Sequence, residues 1–338
     1  MQAQRDIKTA PMNYTVLIPL LFIVGLIVYK WNAAGVAIER VRASGILSTR
    51  TDVVAFGGQA AFTAAERTFN YFVVIWPALV FGILISAAAR AYVPRDWFAR
   101  LAGKKLRAQL VSGAAGAPLM LCSCCVVSIF STVYERSSRL GPSLAIMLGS
   151  PALNPAALIL TFSLFAPTIA VARLVMSVAT VFLGSVAIER LFGFNPGLTA
   201  REFEDRPSGF GRSLHEVLVR TIPVLLVGVI CSMLLVEYVP ADLMASKGFR
   251  SLAVIATASV AVPIALPTFF EIPLALGLLA AGAPIGAAAA LVFAGPVINL
   301  PSLFAVARST NWKIAAALAG LIWAVAVFGG LILNQIGS

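Results

Sequence analysis

The sequence predicts an all-α polytopic membrane protein built from two homologous, inverted repeats with broken or re-entrant helices. Three observations predict it. The 338-residue chain is 60% hydrophobic and 12% charged, with a mean hydropathy of +0.94. Apolar stretches of about 20 residues, the length that crosses a bilayer as a helix, recur along it. The run Pro118-Leu119-Met120-Leu121-Cys122-Ser123-Cys124-Cys125 returns 145 residues later as Pro263-Ile264-Ala265-Leu266-Pro267-Thr268-Phe269-Phe270. Lys and Arg gather in short loops beside the apolar spans, so the net charge of +11 is a topology signal rather than a nucleic-acid footprint.

The elements follow in order. Candidate spans cover 14–30, 68–91, 108–133, 142–163, 166–189, 216–237, 251–279, 284–306 and 312–334. Arg5 and Lys8 precede the first span. Lys30, Trp31 and Asn32 after it suit a retained helix better than a cleaved signal peptide. Residues 1–65 are read as this helix plus an amphipathic connector, kept out of the bilayer core by Glu39, Arg40, Arg42, Arg50 and Asp52. Residues 66–190 form repeat 1 and 211–338 repeat 2; the polar stretch 191–210, with Arg201, Glu202, Glu204, Asp205 and Arg206, is a cytoplasmic linker. The register is exact where it can be checked: Gly141 meets Gly286, Pro151 meets Pro296, Asn154 meets Asn299 and Leu158 meets Leu303. One residue further out of step, Pro77, Gly82, Ser86 and Tyr92 meet Pro223, Gly228, Ser232 and Tyr238. Duplicated units with Gly and Pro inside apolar segments are how many transporters are built.

Each repeat holds four apolar segments. Two of them, 108–133 and 251–279, are poor continuous helices, with Ser112, Gly113, Gly116 and Pro118 in one and Pro263, Pro267 and Pro273 in the other. If each enters and returns, three crossings remain per repeat and the second repeat is inverted. The loop holding Arg90, Arg95, Arg100, Lys104, Lys105 and Arg107 then lies in the cytoplasm, as do Arg136 with Arg139, the linker, and Arg308 with Lys313. If all four segments cross, the repeats run parallel and the Arg-rich linker falls outside, which fits the charges less well.

Three constellations carry candidate chemistry. Cys122-Ser123-Cys124-Cys125 supplies thiols that prefer soft ions. On a helix only Cys122 and Cys125 would share a face; an unwound segment would let two or three sulfurs converge. The alternative is that Cys packs there as a small apolar residue. Ser150-Pro151-Ala152-Leu153-Asn154-Pro155 and Gly295-Pro296-Val297-Ile298-Asn299-Leu300-Pro301 each place an Asn beside a Pro break, where it can bond a freed carbonyl or a substrate. Glu271 lies in an apolar run, where a carboxylate is costly and is a candidate for proton coupling. Arg173 is also flanked by apolar residues, with pairing, gating and snorkelling as its options. One His, at 215, and scattered carboxylates give no metal cofactor site and no hydrolytic triad.

At these motifs the chain resembles the predicted permease family that includes the organoarsenical exporter ArsP. The motifs are Leu121-Cys122-Ser123-Cys124-Cys125-Val126-Val127-Ser128, Ser150-Pro151-Ala152-Leu153-Asn154-Pro155, Phe269-Phe270-Glu271-Ile272-Pro273 and Gly295-Pro296. The family pattern has Gly where this chain has Cys125, Pro where it has Ser128, and Cys-Gly where it has Phe269-Phe270. The resemblance implies a multi-pass permease of the bacterial inner membrane, and a small-molecule or metalloid substrate such as a trivalent organoarsenical.

The expected function is secondary transport, with no enzyme activity and no cofactor; no nucleotide-binding motif is present. Substrate binding is assigned to Cys122, Ser123, Cys124, Cys125, Asn154 and Asn299, and coupling to Glu271. The structural frame comprises Pro118, Pro151, Pro155, Pro263, Pro267, Pro273, Gly295, Pro296 and Pro301. Partners are the substrate and the lipid bilayer, with no nucleic acid and no oligomeric state fixed. A channel-type pore and a membrane-embedded thiol-redox protein are the alternatives.

Overall fold

A computed structural model describes residues 17–44, 63–93, 106–192, 209–238 and 250–336. All regular structure among them is helical. Helix α1 is Leu17–Ser44 and α2 is Ala64–Tyr92. α3 is Leu106–Gly116, followed by a 3₁₀ turn at Ala117–Leu119. Then come α4, Ser123–Ser137; α5, Leu140–Ala152; and α6, Pro155–Leu164. α7, Pro167–Val178, passes through a π turn at Ala179–Gly184 into α8, Ser185–Phe192. The second half repeats the order: α9, Phe210–Tyr238; α10, Arg250–Ala261; α11, Glu271–Ala280; α12, Ile285–Val297; α13, Leu300–Ser309; and α14, Trp312–Ile336.

Six helical stretches are long and apolar enough to cross a bilayer, and the pair α12–α13, bent by 44°, makes a seventh. The molecule is a polytopic helical membrane protein. Its outer surface carries Leu21, Phe69, Leu183, Leu191 and Phe328, each at least 66% exposed, as expected where lipid is the solvent. The first helix differs from the sequence reading: it does not stop near residue 30 but continues to Ser44 through Glu39, Arg40 and Arg42. No Gly or Pro lies between Gly35 and Ser44 to break it, so the helical hydrogen bonds run on past the apolar stretch. The expected linker at 191–210 lies almost wholly outside the described residues.

Helix α2 starts on a capping box, in which the Thr63 hydroxyl accepts from Glu66 N and the Glu66 carboxylate accepts from Thr63 N at 2.8 Å. Its far end meets the start of α9, where Tyr92 and Phe210 stack with ring centroids 6.1 Å apart. The two long Pro-containing helices therefore pack antiparallel.

The short helices settle the path of the broken segments. Gln109, near the start of α3, lies against Gly141 at the start of α5, and Gly113 lies against Gly149 near its end. α3 and α5 thus run side by side in one direction. α4 runs back along α5, from Leu121 N, which donates to Ser150 Oγ at 2.9 Å, to the tight turn at Ser138–Arg139. Both ends of the α3–α4 hairpin therefore sit beside the start of α5. The second half does the same. Asn334 Oδ1 accepts from Gly286 N at 2.8 Å while its Nδ2 donates to Arg250 O, so α10 and α12 begin together. Leu300 N donates to Pro263 O at 3.1 Å, so they also end together. α11 then returns along α12. Each half has one such hairpin.

Close approach of α3 and α5 requires glycine. A Cβ on Gly116 would lie 2.6 Å from Ile146 O, and one on Gly149 would collide with the Gly113 carbonyl. Gly320, with nothing within 4 Å, is a contrasting site on the lipid-facing side of α14. Gly149→Ala is expected to lower the unfolding midpoint in detergent, by about 1–3 kcal/mol from overpacking. Gly320→Ala is expected to leave it unchanged or raise it slightly through helix propensity. Equal effects of the two substitutions would contradict this packing.

Candidate functional site

The break between α3 and α4 is where Pro118 ends the helix. Pro118 opens a 3₁₀ turn, and Met120 follows in the left-handed region with φ 47°. Cys122 is the N-cap of α4, with extended backbone. This switch from coil to helix places Cys122 outside the helical rotation that separates Cys124 from Cys125. The three side chains converge: Cys122 Sγ lies 3.0 Å from Cys124 Sγ and 2.9 Å from Cys125 Sγ. All three ligand atoms lie within 4.8 Å of one another, and all three residues are buried free cysteines. Tyr71 of α2, fully buried, puts its hydroxyl 2.8 Å from Cys124 Sγ. Ser123 takes no part in these contacts; its buried Oγ has no hydrogen-bond partner among the described residues. Three thiols on one side of a buried spot offer a soft ion or a thiol-reactive centre a complete set of sulfur ligands.

The second break is built differently. After α10, Pro263 O accepts from the Ser232 hydroxyl at 3.1 Å, and the same Ser232 Oγ accepts from Ala265 N. Pro267 O accepts from Phe270 N at 3.2 Å, and Phe269 sits at φ 76°. Phe269 packs against a small cluster of Ala34, Met120 and Ala156. The two breaks thus meet, with α1 lying across them.

Glu271 starts α11 and is 1% exposed. Its Oε1 accepts from Arg173 Nη2 at 3.0 Å, and Arg173 is equally buried. Arg173 Nη1 donates to the hydroxyl of Thr161, which in turn donates to Ala157 O at 2.6 Å. The pair ties the second hairpin to α6 and α7 of the first half. Glu271 Oε2 is buried without a hydrogen-bond partner among the described residues. Of the options for Arg173, pairing is what the structure shows.

The asparagines occupy cap positions. Asn154 Oδ1 accepts from Ala156 N at 3.1 Å and Ala157 N at 3.2 Å, with Pro155 at the first turn of α6. Asn299 Oδ1 accepts from Ser302 N at 3.1 Å, with Pro301 in the first turn of α13. Each therefore closes the helix break that Pro151 or Pro296 begins. Asn299 Nδ2 is buried with no partner among the described residues. Gly295 packs on Leu266 Cδ1, and a Cβ there would lie 3.9 Å from Glu271 Cβ. Pro273 lies in the first turn of α11, where a missing N–H costs nothing.

Sequence reasoning missed Tyr71 and Thr161. A Tyr or Thr in an apolar span carries no signal of its partner. Arg173 and Glu271 did stand out, as isolated charges in apolar runs, though neither names the other as its partner.

Up to seven apolar crossings among the described residues, two hairpins whose breaks meet inside the molecule, and buried polar groups at that meeting define a multi-pass helical membrane protein. The family described as "Predicted permease" matches residues 61–207 and 210–337. The chain belongs to that family. It is 28% identical over 280 residues to the UPF0718 protein YraQ of Escherichia coli (strain K12), covering 80% of this chain and 81% of that one. It is 24% identical over 118 residues to the UPF0718 protein MJ0584 of Methanocaldococcus jannaschii, covering 34% of this chain and 32% of that protein. No solved structure matches.

Breaking the buried ion pair from one side strands a charge. Arg173→Met is expected to destabilise the protein by about 3–5 kcal/mol, while Arg173→Met with Glu271→Leu recovers most of that loss. Thermal unfolding in detergent measures it. A double variant as unstable as the single one would show that the pair does not act as a unit.

Proposed function

We propose that this chain is a secondary permease of a bacterial inner membrane that carries a soft, thiol-reactive solute, of which a trivalent organoarsenical is one example. The convergence of Cys122, Cys124 and Cys125 at the break of the first hairpin is the observation that carries this reading. A thiol cluster at a break between helices inside the molecule lies where many transporters place their substrate site. Tyr71, against Cys124, positions the cluster. Asn154 and Asn299 hold the two breaks open as rigid caps, and the unused Nδ2 of Asn299 is the one free to meet a solute.

The two repeats run in opposite directions through the bilayer. Supporting this are the entering-and-returning hairpins, which leave three crossings per half, and the antiparallel packing of α2 and α9. Glu135, bridging Arg90 at 2.6 Å and Arg220 at 3.1 Å, shares its face of the molecule with Arg139, Glu189 and Arg308. That basic face is the cytoplasmic one. A Cys introduced at Arg212, whose side chain is 67% exposed at the start of α9, is expected to react only from the cytoplasmic side in a protein lacking native cysteines. Reaction from the opposite side would reverse the orientation.

Glu271 takes up the coupling proton on its free Oε2. Protonation would cancel the charge that Arg173 pairs with and loosen the second hairpin from α6 and α7. In proteoliposomes, flux driven by an imposed proton gradient should be lost in Glu271→Gln, which keeps a hydrogen bond to Arg173, while gradient-free exchange of cargo persists. Flux that stays gradient-driven in this variant would remove Glu271 from coupling.

Cargo is tested by a resistance and uptake screen in a deletion strain, across methylated arsenicals, arsenite, copper and sulfur compounds. Protection by the wild type and its loss, to the level of empty vector, in Cys122→Ser/Cys124→Ser is the expected result. A double variant that protects as well as wild type would refute the thiol site.

A further inference from the structure

Lys30 stands halfway along α1, where its apolar stretch ends, and is half-buried one turn before Ala34. Leu26, Ala34 and Val41 on the same helix are buried, and Lys30 falls between them at four-residue spacing from Leu26 and from Ala34. Residues spaced so lie one above another on a single face. That face is turned to the meeting of the two breaks, because Ala34 packs with Met120 and Ala156, against which Phe269 lies. α1 also packs on the 3₁₀ turn Ala117–Leu119, which leads directly into Cys122. Among the described residues the Lys30 ammonium has no hydrogen-bond or carboxylate partner. A lone ammonium at this depth is expensive and marks a functional position. The family match begins at residue 61, so this charge is brought by a helix that precedes the matched region.

We propose that Lys30 is a cargo-site residue. Its ammonium supplies the counter-charge for the three-thiol cluster, and it selects soft solutes that are anionic, or that bind as anionic thiolate complexes, over cationic ones. This rests on the reading of the cluster as the cargo site. The physical reason is charge balance. A thiol that becomes a ligand gives up its proton and leaves a negative sulfur. Unless the cargo cancels all of that charge, the loaded site is anionic at membrane depth, where one nearby ammonium lowers the cost of loading. Tyr71, bonded to the cluster, and the cysteines themselves bring no positive charge; Arg67, also buried, lies one turn before Tyr71 on α2. Arg173 is already committed to Glu271.

The test uses the full chain in detergent with Cys231→Ser, since Cys231 on α9 is the fourth cysteine and lies outside the cluster. Three methanethiosulfonates serve as probes: a small neutral one, an anionic sulfonate and a cationic trimethylammonium. Each forms a mixed disulfide with a cluster thiolate and releases a sulfinate. The readout is the ratio of anionic to cationic modification rates. The wild type should favour the anion. Lys30→Gln should lower the ratio by about a hundredfold, because a unit charge about 12 Å away at an effective dielectric of about 20 changes each charged probe's rate about tenfold, in opposite senses. Lys30→Glu should invert it, and Lys30→Arg should keep it. A purely structural role for Lys30 would change all three rates together and leave the ratio alone. An unchanged ratio in Lys30→Glu, with the cluster still reactive, overturns the assignment of Lys30 while leaving the thiol site standing. A wild-type cluster that even the neutral probe never modifies overturns both.

Discussion

Irregular backbone inside a bilayer must find every hydrogen-bond partner within the protein, and the rest of this structure depends on how that requirement is met at four breaks. Each break is pinned by a polar side chain from a neighbouring element or by its own cap. Ser150 holds Leu121 N, Ser232 holds Pro263 O and Ala265 N, and Asn154 and Asn299 cap α6 and α13. Pro263 O also accepts from Leu300 N, so one break satisfies another. Without these pins the two hairpins would have to straighten into full crossings, and no internal meeting point would exist for a site.

The halves share this frame but fill it differently. Ser150 of the first half corresponds to Gly295 in the second. The serine pins the first break; the glycine instead makes room for Leu266. The pinning task passes to Ser232, whose counterpart Ser86 has a buried Oγ with no partner among the described residues. The ion pair is equally one-sided. At the 145-residue offset Glu271, Arg173 and Thr161 face Val126, Leu318 and Val306. One tip therefore carries thiols and the other a buried charge pair, with Met120 and Phe269 near their contact. A chemically lopsided site on a near-symmetric frame can bind a solute at one tip and respond to charge at the other.

Much of this was legible in the chain. The repeat offset, the Pro and Gly that break 108–133 and 251–279, and the isolated charges Arg173 and Glu271 are all sequence features with local physical consequences. The continuation of α1 to Ser44 was not legible, because charged residues leave the bilayer without leaving the helix. Nor were the partners of Cys124 and Glu271. Tyr71 is 53 residues from Cys124 and Arg173 is 98 from Glu271, and nothing in composition or period links residues so far apart.

The sequence by itself determined that this is a polytopic helical membrane protein with interrupted segments, because hydropathy, Pro and Gly act over a single helix length. Only the tertiary structure decided that three cysteines share one spot. On a continuous helix Cys124 would turn away from Cys122 and Cys125. It joins them because Cys122 stays extended at an N-cap that Pro118, Met120 and the Ser150 hydrogen bond hold in place. That geometry comes from packing between elements, and so no reading of one segment alone contains it.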